Sequence, residues 1–444
     1  MKTKKLLAIF ALSVLLSLAS FATAPRIKVG INFGSTAVYG GINISFENGF
    51  QAGNISADGV FSPAATFSKN EIMISTSGSN LSVTVGGVSI YDVINGGELA
   101  ILPLPGTSAI PYSKIGSIKY PEVLKFTAYG GGITIINVVE VEQYLKGVLP
   151  SEIYPSWHEE ALKAAAIATR TYTYHSINSK HSEYGVDLCA TTCCQVYSGI
   201  TKCQDSTNKA IDDTKNLVLT YKGKPITAVY HAISGGVTET AAGAWGGKPE
   251  NYPYLTVVET PFENYEEIAR GKWTKVLYEP DFSELIAASS YNGKISSAIT
   301  DISIDDATPG YLNNVTITDA YGKSITLKTS SQVRSFFKVI SANFTIGNAY
   351  MPQNTAGDNA KVVSAYGEKT LTSGTSAVIM TANGKETVAG VKNAYFIDGK
   401  GYGHGVGMSQ YGTQYAAKAG YTHRQILSIY YPGTTIEDYT TLGQ

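Results

Sequence analysis

Apolar and polar residues alternate in short runs through the first part of the chain: "IKVGINFG" from Ile27, "EIMIST" from Glu71 and "LSVTVGGVSIYDV" from Leu81. Period-two alternation broken by Gly, Asn and Ser clusters predicts half-buried strands joined by turns. The Pro-rich stretch "ILPLPGTSAIPY" (101–112) then marks a boundary. Strands resume in "EVLKFTAYGGGITIINVVEVEQYLKGVLP", so a second region begins near residue 116. At residue 157 the period becomes helical: Leu162, Ala165, Thr169 and Tyr172 share a face, and Ser156 with Glu159 makes a capping box. One helix from 157 to about 176 follows from that signal. Glu152 falls in the short loop before it, where Pro155 keeps the approach extended.

Beyond the helix the pattern predicts strands at "NLVLTY" and "PITAVYHAIS", then a glycine-rich loop over 235–253. A strand pair meeting at Tyr321 and Gly322 and a helix around "SSQVRSFFKVI" come next. Residues 350–392 read as a β-rich excursion with a two-residue turn at Asn383-Gly384, and the chain closes with a glycine loop running into one or two helices. The expected fold class is α+β: mostly antiparallel β with a long central helix and C-terminal helices, plus an N-terminal all-β region.

The start, "MKTKKLLAIFALSVLLSLASFATAP", has basic residues, an apolar run and small residues in order, the pattern of an export signal or an N-terminal anchor over 1–24. The remainder divides into a β-rich region at 25–115 and a second region at 116–440 that carries the 350–392 excursion. Charge narrows the partners: 34 basic against 35 acidic residues leave no field to hold nucleic acid by counterion release. Thirty tyrosines suit a wet, carbohydrate-like surface, and equally suit strands.

Candidate chemistry lies in three places. All four cysteines fall in "HSEYGVDLCATTCCQVYSGITKC", where Cys189, Cys193 and Cys194 with His181 upstream offer four soft ligands. From spacing, a closed tetrahedral zinc site and a pair of disulfides both remain open. "YHAISGGVTETAAGAWGGKP" sets His231 and Ser234 at a strand end before two glycines, and "GYGHGVGMSQYG" flanks His404 with glycines. A serine hydrolase is disfavoured because the chain has no G-x-S-x-G elbow.

Three blocks, "INVVEVEQYLKGVLPSEIYPSWHEEALKAAAIATRTYTY", "VYHAISGGVTETAAGAWGGKPENYPYLTVVETP" and "GYGHGVGMSQYGTQYAAKAGYTHRQILSIYYPG", resemble in order the signature blocks of the SpoIID/LytB family. The family comprises sporulation stage II protein D-type lytic transglycosylases and related amidase enhancers. The resemblance covers roughly 116–440 and implies a bacterial cell-wall protein, exported to the wall or to the outer face of the cytoplasmic membrane. It implies cleavage of the β-1,4 bond from N-acetylmuramic acid to N-acetylglucosamine in peptidoglycan. The catalytic acid of the family's P-S-E-M-P block falls on Glu152; here "SEIYP" has Ile153 and one additional residue before the proline. The family's zinc site falls on His181, Cys189, Cys193 and Cys194, with a cysteine in place of one histidine and Cys203 left spare. His231, Ser234, Tyr402 and His404 are the expected groove-lining residues.

Glycoside cleavage normally uses two carboxylates, and Glu159 and Glu160 are expected to be spent on the first helical turn. A lone Glu152 suffices if it protonates the leaving oxygen and then accepts a proton from the sugar's own 6-hydroxyl, giving a 1,6-anhydro end. That role needs a raised carboxyl pKa, which burial near Ile153, Tyr154 and Trp157 would favour and a helix N-terminus would oppose. The rival reading is a non-catalytic glycan-binding enhancer of a cell-wall amidase. Expected partners are peptidoglycan glycan strands, with an amidase or other sporulation proteins, and no nucleic acid.

Overall fold

The computed structural model describes residues 25–442 apart from 178–179, 309, 350–360, 365–366, 371–374, 382–383 and 392–393. The expected export segment, 1–24, lies outside them. The chain is α+β with mostly antiparallel sheets. Its centre is a seven-stranded sheet that runs, edge to edge, through Leu188–Cys189, Arg26–Asn32, Gly132–Glu140, Val123–Tyr129, Leu99–Pro103, Phe50–Ile55 and Phe61–Phe67. The strand Gly132–Glu140 is buried at every position but its last, which explains its near-continuous apolar text.

The Pro-rich stretch 101–112 is not the edge of a sheet. Leu99–Pro103 bonds both to Phe50–Ile55 and to Val123–Tyr129, so strands from either side of residue 116 share one ladder. They also share one core, whose members run from Phe50 and Leu99 to Tyr144, Ile167 and Leu427.

Residues 141–150, read from sequence as part of a strand run, and Glu152, read as loop, belong to helix α1 (Val141–Glu152). Val141, Tyr144, Leu145, Val148 and Leu149 give it a buried stripe at helical spacing. Helix α2 (Glu159–Ser176) begins two residues later than expected, and its cap is His158, whose Nδ1 accepts from Glu160 N. The box of Ser156 and Glu159 therefore does not form; Glu159 pairs with Lys163 instead. Arg170 on α2 is fully buried and grips Glu142 on α1 through two bonds of 2.8 Å. Its guanidinium also reaches the carbonyl of Ile211 in α3 (Asp205–Asp213) at 3.1 Å. One buried, bidentate cation thus fixes three helices, a geometry lysine could not supply.

Short helix α4 (Ala241–Trp245) precedes a second unit with its own core, built on Phe282, Val315, Phe337 and Ile397. Its helices are α5 (Glu279–Ala287) and α6 (Ser330–Phe337), and its strands include the pair Tyr311–Asp319 and Ser324–Leu327, which meet at the expected turn. Two hairpins of the 350–392 excursion are described, and the second closes at Thr381 against Gly384. The expected turn at Asn383-Gly384 falls partly outside the described residues. Helices α7 (Gln410–Lys418) and α8 (His423–Tyr430) both pack against α2, and the strand Thr435–Asp438 follows them. No helix among the described residues is long and apolar enough to cross a membrane.

Candidate functional site

Glu152 is the last residue of α1, not a loop acid before α2. Pro150 sits in the final turn and has no N–H to give Lys146 O; Cys203 Sγ lies 3.2 Å from that carbonyl and donates in its place. Gln410 Nε2 donates to Glu152 O at 2.8 Å, so α7 dresses the end of α1. Gly147 has a packing reason: a Cβ there would stand 2.1 Å from Gly199 O, and its absence lets the 195–199 segment close on the helix.

That segment brings Val196 N to 3.0 Å from Glu152 Oε1. The preceding residue, Gln195, is buried and organises the floor. Its Oε1 accepts from Tyr144 Oη at 3.2 Å and Thr173 Oγ1 at 3.0 Å, while its Nε2 donates to Thr169 O and Tyr230 Oη. Burial raises the Glu152 carboxyl above its ordinary range, and the Val196 N–H only partly offsets it. The helix end works in the same direction, because a C-terminus disfavours a negative charge. The expected opposition from a helix N-terminus is thereby weakened.

His181, Cys189, Cys193 and Cys194 place their ligand atoms all within 4.8 Å of one another. All four cysteines are free thiols, and Cys203 stands apart from the other three, in the loop before α3, where it bonds to Lys146 O of α1. Three sulfurs and one imidazole at this separation fit a four-coordinate metal with no open position. Cys189 is fixed by strand pairing to Gly30, and Cys194 leads directly into Gln195 and Val196. The cluster and the N–H that meets the Glu152 carboxyl therefore lie on one loop.

The two glycine-rich blocks meet as a short parallel pair, Tyr230 with Met408 and His231 with Ser409. His231 is buried, and its Nδ1–H donates to Val406 O at 3.1 Å, which leaves Nε2 without a partner. His404 lies beside it, ring centroids 5.7 Å apart, and its Nδ1 accepts from Val406 N. Burial pulls His231 down to about 3 and His404 down to about 4, so both are neutral near pH 7. Tyr402 is partly exposed under the Arg270 guanidinium.

Ser234 does not line a groove. It has no exposed surface, and its hydroxyl donates to Glu263 Oε2 at 2.8 Å and contacts Thr260 Oγ1 at 2.7 Å. Ser409 Oγ donates to the same Glu263 oxygen at 2.6 Å, and Gly235 N reaches the other at 3.2 Å. Ser234 is thus part of a buried clasp between the two glycine loops. Sequence reading missed Gln195, Tyr230, Gln410 and Glu263, because each acts through contacts dozens to hundreds of residues away. A cavity of about 570 Å³ beside Lys272, Trp273 and Asn343 belongs to the second unit and does not include Glu152.

Fold and site together define an α+β protein with a half-buried carboxyl at a helix end, supported by a loop rooted in a closed His/Cys cluster. The family described as Stage II sporulation protein matches residues 129–221, which hold α1, Glu152, α2 and the whole cluster. An uncharacterised protein of Brachyspira hyodysenteriae is 31% identical over 330 residues, 74% of this chain and 75% of that protein. The amidase enhancer of Bacillus subtilis is 33% identical over 316 residues, 66% of this chain but 40% of the enhancer. Stage II sporulation protein D of Bacillus subtilis is 27% identical over 350 residues, 74% of this chain and 84% of that protein. The chain belongs to the SpoIID/LytB family.

Proposed function

We propose that the protein is an exported lytic transglycosylase of the cell wall, cleaving N-acetylmuramic acid-β-1,4-N-acetylglucosamine bonds with Glu152 as its single acid and base. The observation that carries this reading is the state of Glu152: burial favours its protonated form, one N–H donor meets it, and the nearby acids are committed elsewhere. Glu159 pairs with Lys163, and Glu160 accepts from His423 N and faces its ring at 2.7 Å. Family membership supports the cell-wall setting.

In this mechanism protonated Glu152 gives its proton to the glycosidic oxygen as the bond from muramic C1 breaks. The 6-hydroxyl of the same sugar then bonds to C1 and returns its proton to the carboxylate, so no water is consumed. A raised pKa keeps the acid form available nearer neutral pH. The Val196 N–H steadies the carboxylate that exists between the two proton transfers. His181, Cys189, Cys193 and Cys194 would hold zinc, whose contribution there is structural, fixing the loop that carries Val196. Tyr402 and His404 belong to the glycine loop that leads into Gln410, whose amide holds Glu152 O, and are assigned to the glycan groove.

A second reading has one observation in its favour, the likeness to a protein called an amidase enhancer. In it the chain binds glycan and stimulates a partner amidase, with no bond broken by Glu152. Purified glycan strands, with and without stem peptides, separate the two when soluble products are read by mass spectrometry. Ends one water lighter than hydrolytic products are expected; intact strands that remain bound would favour the enhancer.

A further inference from the structure

Two residues beyond Glu152 stands Tyr154, part of the departure of "SEIYP" from the family's block, and its side chain is 58% exposed. It does not stand alone. Its ring centroid lies 5.3 Å from Trp157 and 6.3 Å from Tyr411, and those two are 4.9 Å apart. Two rings from the segment between α1 and α2 and one from the first turn of α7 therefore make one patch.

The segment beneath them is held firmly. Ile153 is buried, Ser206 Oγ donates to Pro155 O at 2.7 Å, and His158 N donates to Gln414 Oε1 at 2.8 Å. Trp157 packs partly against the main core, so its ring is anchored on one side. Tyr411 directly follows Gln410, whose amide holds Glu152 O, so the patch is continuous with the end of α1. Core packing does not account for an aromatic left this exposed on a rigid support, and such patches mark interaction surfaces.

The chemistry of the patch selects its occupant. Phenol and indole rings present apolar faces with polar tips, which match the C–H face and peripheral hydroxyls of a pyranose. A dent of about 130 Å³ beside Trp157, bordered by Ser206, Lys209 and Asp213, adds polar groups at the rim. Glu159 and Lys163 also border the dent, and its two acids pair with its two lysines, so the charges cancel and a flat, largely neutral ligand suits the patch better than a polyanion. We propose that Tyr154, Trp157 and Tyr411 form a sugar-stacking subsite adjoining Glu152 that takes a pyranose ring of the glycan strand neighbouring the cleaved bond. The proposal rests on the glycan reading of this same site and deepens it.

The test uses the full chain carrying Glu152→Gln, so that ligand is not consumed. Binding is measured by co-sedimentation with purified glycan strands and by tryptophan emission with an N-acetylglucosamine tetramer. Tyr154→Ala, at an exposed position, is expected to weaken binding about tenfold, the scale of one lost aromatic contact, while Tyr154→Phe retains it. Trp157→Phe keeps the core filled and gives a smaller loss. Unchanged binding in both Tyr154→Ala and Tyr411→Ala, with native melting, would overturn the subsite, as would the absence of glycan binding in the parent. Catalysis is read separately. If the wild type forms no anhydro ends but Tyr154→Ala still weakens binding, the role of Glu152 fails and the subsite stands. If anhydro ends form and both Tyr154→Ala and Tyr411→Ala bind like their parent, the subsite fails and the catalytic reading stands.

Discussion

Glu152 and Glu263 are both carboxyls pushed up by burial, yet they are built for different ends. Glu263 is 4% exposed, and its two oxygens accept from Ser234, Ser409 and Gly235. Glu152 is only half-buried and accepts from Val196 alone among the hydrogen bonds seen at its carboxyl. A buried acid whose acceptor sites are filled clasps loops together; one left underfilled at an accessible helix end retains the capacity to move a proton. Burial raises a pKa in either case, so the shift alone would not tell them apart.

The largest expected effect separates them on rate. Glu152→Gln should lower release of anhydro ends by about 10³-fold, the scale of a lost general acid, with the melting temperature held within a degree or two. Metal removal comes next and tests whether the cluster serves the Glu152 side of the comparison. Treatment with a strong chelator, or Cys194→Ser, should lower the melting temperature and activity together, because the loop that carries Val196 loses its anchor. If chelation leaves both unchanged, the cluster holds no structural metal. Glu263→Gln is the converse of Glu152→Gln. It should cost about 2 kcal/mol by disturbing charge-assisted bonds, seen as a lower urea midpoint with activity retained by the folded fraction.

Two smaller effects sharpen the contrast. His231 and His404 have folded pKa values of about 3 and about 4 against 6.5 for the free group. Below pH 6.5 the unfolded chain therefore takes up protons that the folded chain refuses, and stability should fall as pH drops from about 6.5 toward 4. His404→Gln should flatten that slope in a thermal scan across the window, whereas Glu152→Gln should not. Gln410→Ala should cost about 1 kcal/mol and a few-fold in rate, since it frees one carbonyl at the end of α1 without touching the carboxyl.

Much of this was legible from local pattern. The strands around Tyr321-Gly322, the terminal helices and the four-ligand spacing of His181, Cys189, Cys193 and Cys194 all appear where the residues place them. Helix α1 was hidden because "VEQYLKGVLP" follows directly on a nine-residue apolar strand and carries a proline that reads as a stop. The start of α2 was misplaced because a histidine took the capping role in place of the Ser156 and Glu159 pair. Ser234 looked like a groove residue because its glycine neighbours suggest an open loop. Its actual partner, Glu263, lies 29 positions away and is joined there by Ser409 from 146 positions beyond. No local window contains that clasp.

The most direct test sets the two glutamates side by side. Wild type, Glu152→Gln and Glu263→Gln are each incubated with purified glycan strands, 1,6-anhydro ends are counted by mass spectrometry, and melting is followed on the same preparations. The expected result is a double dissociation, with Glu152→Gln stable and inactive and Glu263→Gln destabilised but active while folded. Normal release of anhydro ends by a folded Glu152→Gln protein would contradict the assignment of Glu152 as the catalytic acid.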